Sequence, residues 1–524
     1  MPRSVGGFTV NFCRNVQCSA FGMPVSLPAD RSAITTGTLR DTGEARTYRC
    51  ATCARSSIVK SNTALIKEYA RLNARYRRAN SEHCPNPECI NHGVRVSLMR
   101  SAYVAHGRTA SGDPRFRCRG CGKTFSIGLP TRRHRETTDT GTILKLLVNK
   151  MPIRRIAETC DCPPTRIYDK IEFLAEQCRK MSAAREAALP AAFRDRRRAL
   201  SVDTQTLLVN WPVKERIMNV PILHLCTVEA SSGYVVAATT DHDVETDAVE
   251  IEQAMAACGD DRLPRAWRRH ARTWGHAEYM DSLVRGISHA MDTRELAFAN
   301  HFDLPGTGSR VRFDMAHAAH LMLVRRLIGN AFKQLLLNID GDAGLVRIAT
   351  ALFPRAVLDG RLHVADVRFR KELGNRARNE RVQEGRQNFE ADMTRLGPLV
   401  DDCMETYGLR SEVAGLVAAR LHEAFGSPPA AERGSTLARD GFEWRYHQKA
   451  EPERVIRFMT DQGTMTVGEL ALLLYRARLA PIDRYFNFAR RRVYGFERSF
   501  QTASTPGAKY HLYGYYKPEM VTLM

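Results

Sequence analysis

The stretch RALSVDTQTLLVNW (Arg198–Trp211) decides the fold. Its alternating apolar and polar residues read as a β-strand that carries one acid, Asp203. The next run, VPILHLCTVEASSGYVVAATTDHD (Val220–Asp243), gives two more strands joined by a turn at Ser231 to Gly233, and VETDAVEIEQAMAA then takes helical spacing. Further on, SRVRFDMAHAAHLMLVRRLIGNAFKQLLLN (Ser309–Asn338) reads as a short strand ending at Asp314 followed by a long helix, and RLHVADVRF (Arg361–Phe369) as the fifth strand. Between the third strand and Asp314 lie about 70 mostly helical residues, more than one connection requires, so an insertion is expected.

Upstream of this region the period is helical. TGTILKLLVNKMPIRRIAETCDCPPTRIYDKIEFLAEQCRKM (Thr140–Met181) places apolar residues at helical spacing in three pieces, broken at Met151-Pro152 and at Asp161 to Pro164. That is the layout of a helix-turn-helix, in which a recognition helix from about Pro164 would offer Thr165, Arg166, Tyr168 and Lys170 to DNA. A three-helix spacer packed on its neighbours has the same pattern.

Eight of the 14 cysteines precede residue 122: Cys13, Cys18, Cys50, Cys53, Cys84, Cys89, Cys118 and Cys121. They form C-x4-C, a long gap and C-x2-C, twice over, with offsets of 71, 71, 68 and 68 between copies. FCRNVQCSAFG (Phe12–Gly22) matches HCPNPECINHG (His83–Gly93), and TYRCATC (Thr47–Cys53) parallels RFRCRGC (Arg115–Cys121), so the segment is duplicated. Two knuckles about 30 residues apart present four thiolates to a tetrahedral Zn2+, and each copy reads as a structural zinc ribbon; a disulfide pair per copy is the alternative in an oxidising compartment. Cys160-x-Cys162 could ligate a metal, or serve as a buried small side chain and a turn residue, the reading preferred.

The chain has 524 residues and a formal charge of +21. Residues 1–200 hold 36 Lys+Arg against 16 Asp+Glu, whereas residues 201–524 hold 42 against 41. A basic part attached to a neutral one points to a polyanion, and double-stranded DNA is the expected partner. The hydrophobic fraction, 44%, excludes wholesale disorder, and no apolar run spans a bilayer, so a soluble, cytoplasmic protein without membrane partners is expected.

The order of cysteine ribbons (CPNPEC, FRCRGCGKTFS), helical hairpin and LSVDTQTLLVN resembles the DDE transposases of bacterial insertion sequences. APIDRYFNFARRRVYGFERSFQTAS (Ala480–Ser504) and the tail YHLYGYYKPEM also look like the end of such proteins. The resemblance implies a multidomain α/β chain: zinc ribbons at 1–60 and 61–135, an all-α helix-turn-helix at 136–192, and a ribonuclease H-like mixed-sheet catalytic domain at 198–524 with helical insertions at about 241–309 and 385–480. It implies metal-dependent cleavage and strand transfer at the element's DNA ends by a homo-oligomer, with three acids holding Mg2+ or Mn2+. Asp203 takes the first position and Asp314 the second; for the third, Asp483 is chosen over Glu380 and Glu451. Arg490 falls two helical turns beyond Asp483, and Arg490, Arg491 and Arg492 alternate with aromatic residues as a DNA-end contact would, or as a charged helix face over a core stripe. His317, three residues after Asp314, would position a strand, or pack the helix with His320; Trp444 would stack on a base or pack. The class without catalysis is a zinc-dependent DNA-binding protein, a decayed or domesticated relative or a regulator.

Overall fold

The computed structural model describes residues 1–524 apart from 27–34, 43–44, 78–81, 97–98, 111, 128–137, 211–218, 290–303, 342, 427–431 and 498–513. The ends of the motif at 480–504 and of the aromatic tail therefore lie partly outside the described residues.

The alternating run around Asp203 forms strand β1 (Arg197–Val209), which turns back into β2 (Val220–Glu229) and again into β3 (Val235–Thr240). The second turn is closed by Glu229, whose carboxylate accepts the backbone N–H of Ser232 at 2.7 Å and the hydroxyls of Ser231 and Ser232. Then follow β4 (Gln334–Asp340), β5 (Leu362–Arg368), β6 (Phe442–Glu443) and β7 (Val455–Phe458). The seven strands lie in the order β3-β2-β1-β4-β5-β7-β6, with β1, β4 and β5 parallel and the other pairs antiparallel. The parallel strands are central, and β4 and β5 are buried along nearly their whole length, as strands covered on both faces are.

The strand expected to end at Asp314 is not in this sheet. Ser309–Arg310 pairs with His242–Asp243 in a separate two-stranded ribbon, and Val311 bridges to Thr273. Buried charge pins the segment there: Arg310 donates to Asp241 (2.5 and 2.9 Å), and Arg312 pairs with Glu278. The fourth strand is instead QLLLNID, because the preceding helix stops at Gly329, whose positive φ of 74° ends it.

Helices complete both faces. The first cysteine module is followed by α1 (Asn62–Arg77), and the helical region by α2 (Thr138–Leu147), α3 (Ile153–Thr159) and α4 (Pro164–Glu186). Ile143, Leu147, Ile156, Ile167 and Ile171 of α2 to α4 form a core shared with Leu207 and Val209 at the end of β1. Helix α5 (Phe313–Ile328) covers the face of Leu200, Val202, Leu337 and Val364. The opposite face, with Ala199, Leu336 and Val367, packs on α6 (Asn375–Tyr407), α7 (Glu412–Phe425), α8 (Val467–Arg476) and α9 (Ala480–Arg492). The chain is thus a mixed α/β protein with small antiparallel sheets carrying the cysteines and one larger mixed sheet. Among the described residues, no helix is long and apolar enough to cross a membrane.

Candidate functional site

In each cysteine module the two knuckles meet. Cys13, Cys18, Cys50 and Cys53 bring their sulfurs together, with Cys13–Cys53 at 3.5 Å and Cys18–Cys50 at 3.9 Å; Cys84–Cys121 and Cys89–Cys118 stand at 3.4 and 3.6 Å in the second set. No disulfide joins them. Backbone N–H groups of Ala20 and Asn91 point at Cys18 and Cys89 Sγ, the usual support of a knuckle thiolate. Four thiolates at this spacing could hold Zn2+ and leave no open position.

Ser201, Asp203 and Gln205 are alternate residues of β1 and share one face. On that face the strands hold the chain that enters α9. Ser201 Oγ donates to the Arg478 carbonyl at 2.8 Å, and Asn338 Nδ2 of β4 donates to that of Arg476 at 3.3 Å. Glu451, buried, accepts the N–H groups of Leu479 and Ala480 at 2.6 Å each through Oε1, and Arg454 at 2.6 Å through Oε2. A carboxylate on the first N–H groups of a helix is favourable. Helix α9 therefore starts over the Asp203 face with Asp483 in its first turn, and two turns later Arg490 donates to Gln205 Oε1 at 2.9 Å.

Asp203 and Asp340 both follow the rung Val202–Ile339, so the two carboxylates leave neighbouring parallel strands at one level. Burial, and then the charge of Asp340, pushes the Asp203 carboxyl up to about 7, with Asp483 adding to the rise. Burial raises Asp483 as well; Lys371 opposes the rise and Asp340 adds to it. Lys371, just past β5, is ion-paired with Asp340 and also feels Asp203 and Asp483. Three carboxylates from β1, β4 and α9 thus share one field with one lysine.

This donor set is the hard oxygen type that Mg2+ and Mn2+ take, and the repulsion from Asp340 and Asp483 that adds to burial at Asp203 is what a divalent cation would relieve. Its oxygens do not all lie within 4.8 Å of one another, as the cysteine sulfurs do, and the cation paired with Asp340 is Lys371.

Asp314 stands elsewhere. It lies in the first turn of α5, paired with Lys60 of the first cysteine module. Burial works against its ionisation, but Lys60, together with Arg312 and Arg265, holds the carboxyl below its ordinary range. Asp340, which the sequence reading missed, has the sheet position assigned to Asp314. Glu380 sits on the exposed face of α6 beside Arg376 at 3.1 Å, and Glu451 is used in capping α9. His317 Nε2 lies 3.1 Å from the Thr204 hydroxyl, on the α5 side of β1, the face opposite Asp203. His320 is a core residue held between Thr227 and Thr239 at 2.8 Å each. Trp444 is buried, its Nε1 donating to the Tyr446 carbonyl.

Thr165 and Tyr168 are exposed at the start of α4, and Arg166 is half-buried. Lys170 is turned inward: it is 3% exposed and donates to Thr140 Oγ1 at 2.8 Å, which removes it from an outward DNA-contacting face. Arg491 is exposed, Arg492 donates to Asn149 Oδ1 at 3.1 Å, and Phe486 faces the core. A further set, Cys258, Asp260 and His270, brings ligand atoms together in the segment between β3 and α5; the Asp260 carboxylate accepts the N–H groups of Arg269 (2.9 Å) and His270 (2.7 Å).

No family model, curated protein or solved structure matches this chain.

Proposed function

We propose that this protein is a DDE-type transposase that binds the DNA ends of its element and catalyses phosphodiester cleavage and strand transfer. The observation that carries the reading is the grouping of Asp203, Asp340 and Asp483 on one face of the sheet. Its support is topological: three antiparallel strands, a helix, then two strands parallel to the first, in the order β3-β2-β1-β4-β5, is the order of a ribonuclease H-like sheet. In this reading Asp203, Asp340 and Asp483 hold Mg2+ or Mn2+, which would activate the attacking oxygen and stabilise the leaving one. Glu451, Ser201 and Asn338 fix α9 so that Asp483 faces the strands. The exposed Thr165 and Tyr168 of α4, read as a recognition helix, and Arg491 of α9 face the DNA.

The test is Mg2+- or Mn2+-dependent cutting of a DNA fragment carrying the gene's own flanks. We expect specific nicking by the wild type and a loss of at least about 1,000-fold in Asp203→Asn with DNA binding retained. Loss of binding as well would make Asp203 structural. A second reading, a zinc-dependent DNA-binding protein without catalysis, is favoured by the Lys371–Asp340 pair, since a site that keeps lysine as its cation would bind DNA and leave it whole.

A further inference from the structure

The two cysteine modules are copies in sequence, but their surroundings differ. The second has a core of its own: Cys84, Cys89, Val96, Tyr103 and Cys118, with Ala102, Phe116, Phe125 and Ile127 packed against it, all within the module. Its surface exposes Arg100, Arg108, Arg117, Arg119 and Lys123, and residues 84–127 carry seven Lys+Arg against two Asp+Glu.

The first module has no separate core. Val10, Phe12, Cys13, Phe21, Tyr48, Cys50 and Leu65 belong to the same buried cluster as Leu200 and Val202 of β1, Val236 of β3 and the inner residues of α5. Its following helix, α1, also closes an edge of the large sheet. Among the described residues strand β3 pairs only with β2, and an edge strand leaves backbone groups without ladder partners. Tyr76 of α1 supplies them: its hydroxyl donates to the Ala238 carbonyl at 2.9 Å and accepts the Ala238 N–H at 3.0 Å. One face further along, Arg71 donates to the carbonyls of Thr240 (3.3 Å) and His242 (3.2 Å). Glu68, fully buried, pairs with Arg71 and with Arg272, which in turn pairs with Asp243 at 2.6 Å. Lys60 completes the contact at Asp314 of α5. A buried carboxylate at the centre of such a network holds its neighbours in place, because removing a partner leaves a charge unpaired.

We infer that the first four-cysteine site is a structural metal centre of the sheet domain itself, a brace that holds α1 against α5 and the edge of β3, while the second is the metal centre of a self-contained outward module. The duplicated unit has thereby divided its work: zinc at Cys13, Cys18, Cys50 and Cys53 maintains the body that carries the carboxylates, and zinc at Cys84, Cys89, Cys118 and Cys121 maintains a basic surface. The inference rests on packing alone and stands whether or not the protein cuts DNA.

The experiment is hydrogen exchange by mass spectrometry on the full chain, with zinc counted in parallel. Cys118→Ser with Cys121→Ser should halve the zinc content and leave exchange in residues 313–328 and 235–240 unchanged. Stripping the remaining zinc from that variant with a chelator should raise exchange in both segments by at least about tenfold, as local opening costs less without the metal. Tyr76→Phe keeps all eight thiolates; it should retain both zinc ions and raise exchange at Ala238 by about five- to tenfold. Unchanged exchange in 313–328 after the first site is stripped would overturn the inference, and so would deprotection of those residues on loss of the second site alone.

Discussion

A carboxyl group set beside two others and shielded from water ionises readily only when a cation joins it. For Asp203, Asp340 and Asp483 the cation in place is Lys371, ion-paired to Asp340. Lys371→Met removes that competitor, and we expect Mn2+ binding, followed by titration calorimetry, to tighten several-fold; equal affinity in wild type and variant would place the lysine outside the metal site. At the opposite extreme is His320, a buried imidazole that burial first, and then the neighbouring histidines, push down to about 3. It stays neutral in the folded chain but takes a proton in the unfolded chain below about pH 6.5. Its contribution to stability is therefore complete above that pH and falls away as pH drops toward 3, by up to about 1.4 kcal/mol per unit. Urea unfolding between pH 7 and 4 should show this slope, and His320→Gln should flatten it by one proton. Asp203 was legible because it interrupts an apolar strand bounded by further strand signals. Asp340 was not, because QLLLNID continues the leucine-rich spacing of the helix before it; only Gly329-Asn330 marks the stop.

Among the elements, α9 is the one whose placement the sequence leaves most open. Ala480-Pro481 announces a helix start, and Asp483 with Arg490 two turns on announces a face, both of which the fold uses. What the sequence does not display is the anchor. Glu451 reaches the start of α9 from 28 residues upstream, from within a segment read as a helical insertion. That segment contains β6 and β7 as well, too short at two and four residues to register as strands against long helices. Glu451→Ala strands Arg454 and leaves two helix N–H groups unanswered, so a loss of about 3–5 kcal/mol is expected in urea unfolding. A loss under about 1 kcal/mol would mean that α9 is held by its apolar face alone. The helices of 138–186 were easier to read, since proline breaks and the 3.6-residue period agree there. Lys170 escaped because polar residues on a recognition helix are assigned outward by default, whereas this one lies on the α2 side.

At the scale of the whole molecule, the +20 of the first 200 residues and the neutrality of the rest describe a basic part joined to a body that holds acids. The cysteine repeat made both four-cysteine clusters legible, since each copy carries its own two knuckles. The different environments of the two copies were not legible, because they depend on contacts with β3 and α5 that lie far along the chain. If the second module and α4 bind DNA, Cys118→Ser with Cys121→Ser should weaken binding and lower the steepness of its salt dependence, measured by fluorescence anisotropy from about 50 to about 200 mM salt; an unaltered slope would exclude the module from the DNA contact. Which acids work together is read out by Mn2+-dependent cleavage of the flank-bearing DNA by the wild type, Asp340→Asn and Asp314→Asn in parallel. We expect cutting by the wild type and by Asp314→Asn, whose amide oxygen still accepts from Lys60, and none by Asp340→Asn. Cutting by Asp340→Asn, with Asp314→Asn inactive but folded, would put Asp314, and not Asp340, in the cutting site.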